Sequence, residues 1–357
     1  MYHSKTAVGA ILTIKAEELA HFAMQLAMKS GVGKEDASIL AESLMDASLQ
    51  GIDTHGISRL PIYLKRISMG LIDPKAKMTF TEKKPAVGIL DAKNGLGQVA
   101  GKKAMDEAMG LAKKVGIGAV GVVNSQHFGA AGYYCSNAAR QGFIGMAFTN
   151  AEPALPPWGS YQAFFGTNPI SMGVPTGSGV PVIIDLSTSI VARGKIVAAA
   201  RAKTPIPADW ALDAEGKPTT DPQRALDGSV LTMSGPKGYA LALMVDVLAG
   251  VVTGGSFGRN VKSMYKDMEH PANVSHMLIA IDVAAFMPVE EFAARMQLLI
   301  GELKASPKRD GVSQIYIPGE RKYLTKRVRL ESGIELDASV ATELYHLAGE
   351  LGVLPPF

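Results

Sequence analysis

His127 lies in the segment Asn124-Ser125-Gln126-His127-Phe128-Gly129-Ala130-Ala131-Gly132-Tyr133-Tyr134. The apolar run Ile117 to Val123 just before it has the length and composition of a buried strand. The pattern predicts an imidazole delivered to a strand end, among glycines that let a ligand approach closely. Such a group can exchange a proton near neutral pH. A structural histidine satisfied by its neighbours fits the same residues. A helical pattern through Cys135, Ala138, Ala139 and Phe143 follows.

A second group of chemistry-bearing residues stands in Gly51-Ile52-Asp53-Thr54-His55-Gly56-Ile57-Ser58-Arg59-Leu60-Pro61-Ile62-Tyr63. If a helix resumes after Gly56, Arg59 and Tyr63 share one face. Thr54, His55, Arg59 and Tyr63 then make one polar cluster, in which arginine suits a forked grip on a carboxylate. A surface turn with a solvated arginine is the alternative. Glu152 follows the strand-like Gly142 to Phe148. It can orient His127 if the two strand ends are neighbours, or stand as a loop carboxylate in water.

Two further stretches suit anions. Leu186-Ser187-Thr188-Ser189 follows the strand-like Val182 to Asp185, and its hydroxyls can cap a helix or meet a phosphate or ribose. Ser234-Gly235-Pro236-Lys237-Gly238-Tyr239 opens an apolar helix, Ala240 to Val251. A lysine there is placed for an anion, though the spacing is not that of a P-loop.

Helical periodicity covers Ala16–Lys29, Glu35–Gln50, Ala100–Lys113, Val289–Ala305 and Ala338–Leu351. Strands are expected at Ala86–Leu90, Ile117–Val123, Gly142–Phe148, Val182–Asp185 and Met277–Asp282, and Phe165 to Pro169 reads as a turn. Pro205 to Asp221, around Trp210, reads as a long ordered loop. Gly95-Leu96-Gly97-Gln98-Val99-Ala100 and Gly116-Ile117-Gly118-Ala119-Val120-Gly121 both match the dinucleotide fingerprint. Both are rejected as Rossmann sites. The second lies inside a strand, and the first has no carboxylate at the end of its second strand, Val123-Asn124.

The chain has 357 residues, enough for about two domains. Hydrophobic residues make up 47% and charged residues 19%, which suits a large folded core. A net charge of +3 without a basic stripe argues against nucleic acid as a partner. The single Cys135 excludes an internal disulfide and a Cys-rich zinc site, no metal site is expected, and a reducing cytoplasm fits. Met1 to Leu12 lacks the pattern of a signal peptide. The longest apolar stretch, Tyr239 to Val252, contains Asp246 and is too short to span a bilayer, so no membrane association is expected.

Five segments taken together resemble the malate/L-lactate dehydrogenase family that lacks the Rossmann fold. They are Asp53-Thr54-His55-Gly56 with Arg59 and Tyr63, Ser125 to Tyr133, Gly166-Thr167-Asn168-Pro169, Asp185 to Ser189, and Gly235-Pro236-Lys237-Gly238-Tyr239. Within that family the chain looks most like the ureidoglycolate dehydrogenases, through the last of these with Phe257-Gly258-Arg259, Ser263-Met264-Tyr265 and Tyr316-Ile317-Pro318-Gly319.

The resemblance implies an α/β fold of the α+β type. A non-Rossmann nicotinamide-binding domain on a largely antiparallel sheet, residues 76–299, would join a helical, dimerising domain built from both ends, 1–75 with 300–357. It implies a homodimer whose active site receives residues from both subunits. Carried over position by position, His127 is the acid–base residue, with Thr54, His55, Arg59 and Tyr63 lining the substrate site and Glu152 beside it. His55, Ala151, Asp185, Leu186, Ser187, Lys237, Gly238, Pro318, Gly319 and Glu320 fall at the cofactor. The implied activity is NAD(P)-dependent hydride transfer on a small 2-hydroxy acid, with NAD expected and NADP the alternative. Ureidoglycolate oxidation to oxalurate leads, and malate, L-lactate or a sulfolactate-type acid is the alternative. A catalytically inactive binding relative is the competing class. The chain departs from relatives with Thr54 for Ser, and from the ureidoglycolate enzymes with Glu152 for Asp and Ala151 for Ser.

Overall fold

Long apolar runs rich in small and β-branched residues build one central sheet, and amphipathic helices cover it. The computed structural model describes residues 12–357. Residues 1–11, on which the reading of the N-terminus rests, lie outside it.

In chain order the elements are β1 (Leu12–Ile14), α1 (Ala16–Lys29), α2 (Lys34–Leu49) and, after two 3-10 turns at Asp53–His55 and Ile57–Arg59, α3 (Leu60–Ser68). Then come β2 (Thr79–Lys84), β3 (Val87–Asp91), α4 (Gly97–Val115), β4 (Ile117–Ser125), α5 (Gly132–Arg140), β5 (Phe143–Thr149), β6 (Ile170–Val174) and β7 (Val182–Leu186). The segment after the sheet edge holds α6 (Arg193–Ala202), β8 (Ala211–Leu212), α7 (Pro222–Asp227), β9 (Ser229–Val230) and α8 (Pro236–Asp246). The chain closes with β10 (Val274–Asp282), α9 (Val289–Ala305), α10 (Glu320–Ser332), β11 (Ile334–Leu336) and α11 (Ala338–Leu351).

The seven-stranded sheet has the order β2-β3-β4-β10-β5-β6-β7. Only β3 and β4 pair in parallel, through the crossover helix α4. The other pairs are antiparallel, so the sheet is largely antiparallel as expected. The late strand β10 lies between β4 and β5 and is buried on both faces. Leu278 and Ala280 face α4 and α5, whereas Met277 and Ile279 face Val245 of α8. A separate apolar cluster joins α1, α2 and α3 to Ile334, Leu336, Leu344 and Ala348 from the chain's end, and β1 pairs with β11 beside it.

Some boundaries differ from expectation. α4 begins three residues early, at Gly97. Phe143 belongs to β5 instead of the preceding helix, because Gly142 turns the chain at φ 87°. α8 gives way at Val247 to a π-helical turn. α10 was not apparent in the sequence: Glu320–Ser332 has no buried residue, hence no apolar stripe to detect. β4, β5 and β7 all finish at one end of the sheet, where β10 and β6 begin.

Candidate active site

At that end, two loops bring histidines together. The first runs from Asp53 to Arg59 and is pressed onto α2. A Cβ on Gly56 would lie 2.1 Å from Ser48 Oγ and 3.1 Å from Ser48 Cα, so only glycine fits. Ser48 Oγ accepts from Ile57 N at 3.0 Å, and Arg329 of α10 grips the Asp53 carboxylate at 2.6 and 3.1 Å. Thus anchored, the loop presents Thr54 Oγ1 3.0 Å from His55 Nδ1, while Arg59 Nε donates to the Thr54 carbonyl. No protein hydrogen bond is made by the two terminal nitrogens of Arg59 among the described residues, so the fork is free. A Cβ on Gly194 would meet Thr54 Cγ2 at 2.9 Å, so the start of α6 closes against Thr54.

The second loop carries His127, two residues beyond β4. Its ring stacks on His55, with centroids 5.6 Å apart and planes at 30°. Tyr63, one turn into α3, reaches His127 Nδ1 with its hydroxyl at 2.6 Å, and Gly129 N donates to the same atom at 3.3 Å. Nδ1 is therefore engaged, and Nε2 is the nitrogen left for a substrate. Arg59, Thr54, His55 and Tyr63, expected as one cluster, come together with His127, expected on separate grounds.

Glu152 is corrected as the partner of His127. The expectation needed neighbouring strand ends, but β10 separates β4 from β5. Glu152 Oε1 instead lies 3.7 Å from Arg193, Oε2 is buried without a partner, and its charge favours the cationic form of Arg59. Tyr63 takes the place meant for it.

Burial sets the protonation states. Desolvation, then His55, Arg59 and His276, hold His127 well below the usual imidazole range. His55 is lowered to about 4, first by burial and then by Arg59 and Lys322. Burial pushes the Tyr63 phenol up to about 12, although Arg59 opposes it. At neutral pH both imidazoles are therefore uncharged and the phenol keeps its proton.

Beneath the cluster lies His276 of β10, which sequence reasoning missed. It is fully buried, with Nδ1 2.7 Å from Thr149 Oγ1, Nε2 2.9 Å from Ser125 Oγ, and its ring stacked on Phe128 at 4.3 Å. It thus ties together the ends of β4 and β5 beneath the His127 loop. The sign available in the sequence was a Ser275-His276 pair at the head of an apolar run. Desolvation lowers His276 to about 3. The unfolded chain therefore binds a proton that the native chain refuses between about pH 6.5 and about pH 3. Stability should fall as pH drops through that window, by up to roughly 1.4 kcal/mol per unit from this group. Urea midpoints at pH 7 and pH 5 check this. His276→Gln should lessen the difference, to which His55 and His127 contribute in the same sense, and an unchanged slope would remove the assignment.

The expected cofactor segments also converge. Ile183 N of β7 donates to the Pro318 carbonyl at 3.1 Å, which docks the Pro318-Gly319-Glu320 turn on the sheet edge. Gly319, at φ 89°, packs directly on Ile183. Glu320 is occupied by Ile317 N at 2.9 Å and Lys304 at 2.7 Å, so its side chain serves the turn itself. Asp185, next to last in β7, lies 3.3 Å from Lys322 of α10, and exposed Leu186 ends the strand. Ser187 Oγ lies 2.9 Å from Ser189 Oγ. Met233 N donates to the Thr188 carbonyl at 2.9 Å, and this strand-like contact leads into the first turn of α8. There Lys237 is exposed, while Gly238 packs so tightly on Met233 that a Cβ would lie 2.2 Å from its carbonyl. Ala151, two residues beyond β5, has its backbone carbonyl 2.5 Å from where a Gly166 Cβ would stand. An exposed ammonium with first-turn amides, a serine hydroxyl and a carboxylate suit a dinucleotide's pyrophosphate and ribose.

The comparisons agree with this geometry. A family model described as malate/L-lactate dehydrogenase matches residues 14–345. An L-sulfolactate dehydrogenase of Methanocaldococcus jannaschii is 40% identical over 342 residues, covering 96% of this chain and 98% of that one. A ureidoglycolate dehydrogenase (NAD+) of Escherichia coli is 35% identical, covering 91% and 93%. The crystal structure of a malate dehydrogenase from Entamoeba histolytica superposes with a TM-score of 0.93 at 31% identity, covering 98% of this chain and all of that one. The names of relatives include both NAD+ and NADP+ enzymes.

Proposed function

The chain belongs to the malate/L-lactate dehydrogenase family, and from that premise we propose that it transfers a hydride between a nicotinamide cofactor and a small 2-hydroxy acid of the malate, sulfolactate and ureidoglycolate group. The observation that carries this reading is the Tyr63–His127 pair beside the free fork of Arg59. An acid–base group and a carboxylate grip on one wall are what a 2-hydroxy acid needs. A bound nicotinamide would supply the acceptor or donor of the hydride at the substrate's C2.

The chain's own residues do the rest. Arg59 holds the carboxylate and so fixes which face of C2 is presented. Tyr63 can give or accept a hydrogen bond at Nδ1, so it supports either neutral tautomer of His127. In the tautomer that gives up the long bond from Gly129 N and turns Nδ1–H to the phenol oxygen, Nε2 has a free lone pair and takes the proton of the substrate hydroxyl. In reduction the imidazolium returns that proton to the developing alkoxide. Thr54 and His55 offer hydrogen bonds to the same oxygen or to the carboxamide of the cofactor.

Tyr63→Phe should lower kcat roughly 10-fold, because Nδ1 loses its partner. The acid limb of kcat/KM for oxidation should also move to lower pH, since imidazolium loses the oxygen that accepts Nδ1–H. A limb that moves upward would contradict this role.

NAD is proposed over NADP. This follows the ureidoglycolate dehydrogenase among the relatives, whose name carries NAD+. We further propose the division into 76–299 and 1–75 with 300–357, a cytoplasmic location and a homodimer. Exposed Leu298, Leu299 and Leu303 on α9 support a second copy of the chain as the cover for that face. The test is absorbance of the reduced nicotinamide, with each cofactor, against L-malate, sulfolactate, L-lactate and ureidoglycolate and their 2-oxo partners. Turnover of at least one acid is expected, with NADH bound more tightly than NADPH. No turnover with either cofactor would return the chain to a binding role, and a strong preference for NADPH would reverse the cofactor choice.

A further inference from the structure

Arg66 lies seven residues beyond Arg59, on the same side of α3, and is among the most buried side chains of the molecule at 1% exposure. Among the described residues its guanidinium makes no ion pair with a carboxylate. It donates instead to three backbone carbonyls of one loop: Met264 at 3.3 Å, Asp267 at 2.7 Å and His270 at 2.8 Å. Within that loop Ser263 Oγ accepts from Tyr265 N and Lys266 N, both at 3.2 Å. A buried cation gathering three carbonyls makes the loop a rigid extension of α3, since losing the clamp would strand those acceptors. The product of this arrangement is the position of Tyr265, whose ring lies over the Arg59 guanidinium at 5.2 Å from its centroid.

We propose that Tyr265 is a positioning residue for substrate recognition, holding the Arg59 fork in the plane that receives the substrate carboxylate. Arg59 has one edge tied to the Thr54 carbonyl. Tyr265 covers one face, by a contact whose attraction depends on the ring's π-electrons. Together these leave the two terminal nitrogens aimed outward with little freedom to lose on binding. The inference rests on Arg59 as the carboxylate grip. The aromatic face, not the phenol hydroxyl, is the working part, because Tyr265 makes its contact through the ring.

The test measures kcat and KM for the preferred 2-oxo acid, and Kd for NADH, in Tyr265→Phe, Tyr265→Leu, Tyr265→Ala and Arg59→Lys. Tyr265 is 45% exposed, so these variants should fold. Phe should match wild type. Leu and Ala should raise KM about 5- to 30-fold, the scale of a cation–π contact of roughly 1–2 kcal/mol, with kcat and the Kd for NADH unchanged. Tyr265→Ala should add little to Arg59→Lys. If Arg59→Lys raises KM but Tyr265→Ala does not, the inference falls and the carboxylate grip stands. If Arg59→Lys leaves KM unchanged, both fall. A parallel loss of kcat, KM and NADH binding in Tyr265→Ala would mark a merely structural side chain and overturn the proposal.

Discussion

His127→Asn is expected to lower kcat by roughly 100-fold or more while the fold and NADH binding stay unchanged. Asparagine is of similar size and can still bond the Tyr63 hydroxyl, so the loop keeps an anchor. What it cannot do is carry a proton, and positioned acid–base groups contribute about 100- to 10,000-fold. His55 is the competing candidate, because it stacks on His127 and shares the cluster. The two differ in their support. His127 Nδ1 is held by Tyr63 and Gly129, whereas His55 Nδ1 has the neighbouring Thr54 hydroxyl. His55→Asn should therefore cost less in kcat than His127→Asn. Single-turnover rates with saturating NADH and 2-oxo acid check this. Near wild-type transfer in His127→Asn with loss in His55→Asn would exchange the roles.

Gly97→Ala should both destabilise the protein and reduce kcat, against the trend of helix propensity. Gly97 opens α4, where alanine would gain up to about 1 kcal/mol in propensity. But a Cβ there would lie 2.4 Å from the Gln126 carbonyl oxygen and 2.5 Å from that of His127. Those are backbone atoms that cannot swing aside. Overpacking costs about 1–3 kcal/mol, so the net change should be a loss of roughly 1–2 kcal/mol. The strain is relieved by displacing the His127 loop, and a misplacement of about 1 Å can lower the rate on the order of 100-fold. Gly110→Ala is the control: it lies in the same helix with nothing within 4 Å of the new carbon, and should stabilise by up to about 1 kcal/mol. Thermal midpoints and kcat for both variants decide the matter. A stable, fully active Gly97→Ala would show that the close approach is tolerated.

Gly97 also shows how sequence and structure relate here. The fingerprint Gly95 to Ala100 does sit on a strand-to-helix turn, between β3 and α4. Its glycine serves the protein's own backbone at the His127 loop, in keeping with the rejection of a Rossmann site. The histidine at a strand end, the Arg59–Tyr63 pair and the helices Val289–Ala305 and Ala338–Leu351 were legible because each depends on local periodicity. The bond between Tyr63 and His127 was not, since it joins residues 64 apart in the chain. Glu152 was misassigned for the same reason: no local pattern reveals that β10, more than a hundred residues later, enters between β4 and β5. Arg66 and His276 escaped notice because a buried polar group is recognisable only once its partners are known.

We propose that His127 is an uncharged base in the free enzyme, kept so by burial and by the Arg59 cation beside it. The pH profile of kcat/KM for oxidation of the preferred acid tests it most directly, because that parameter reports the free enzyme. A base whose pKa is depressed stays competent as pH falls through the ordinary imidazole value of 6.5. The account predicts a plateau that extends below pH 6.5 with the acid limb beneath it, and His127→Asn should abolish that limb. An acid limb at or above pH 6.5 that persists in His127→Asn would contradict it.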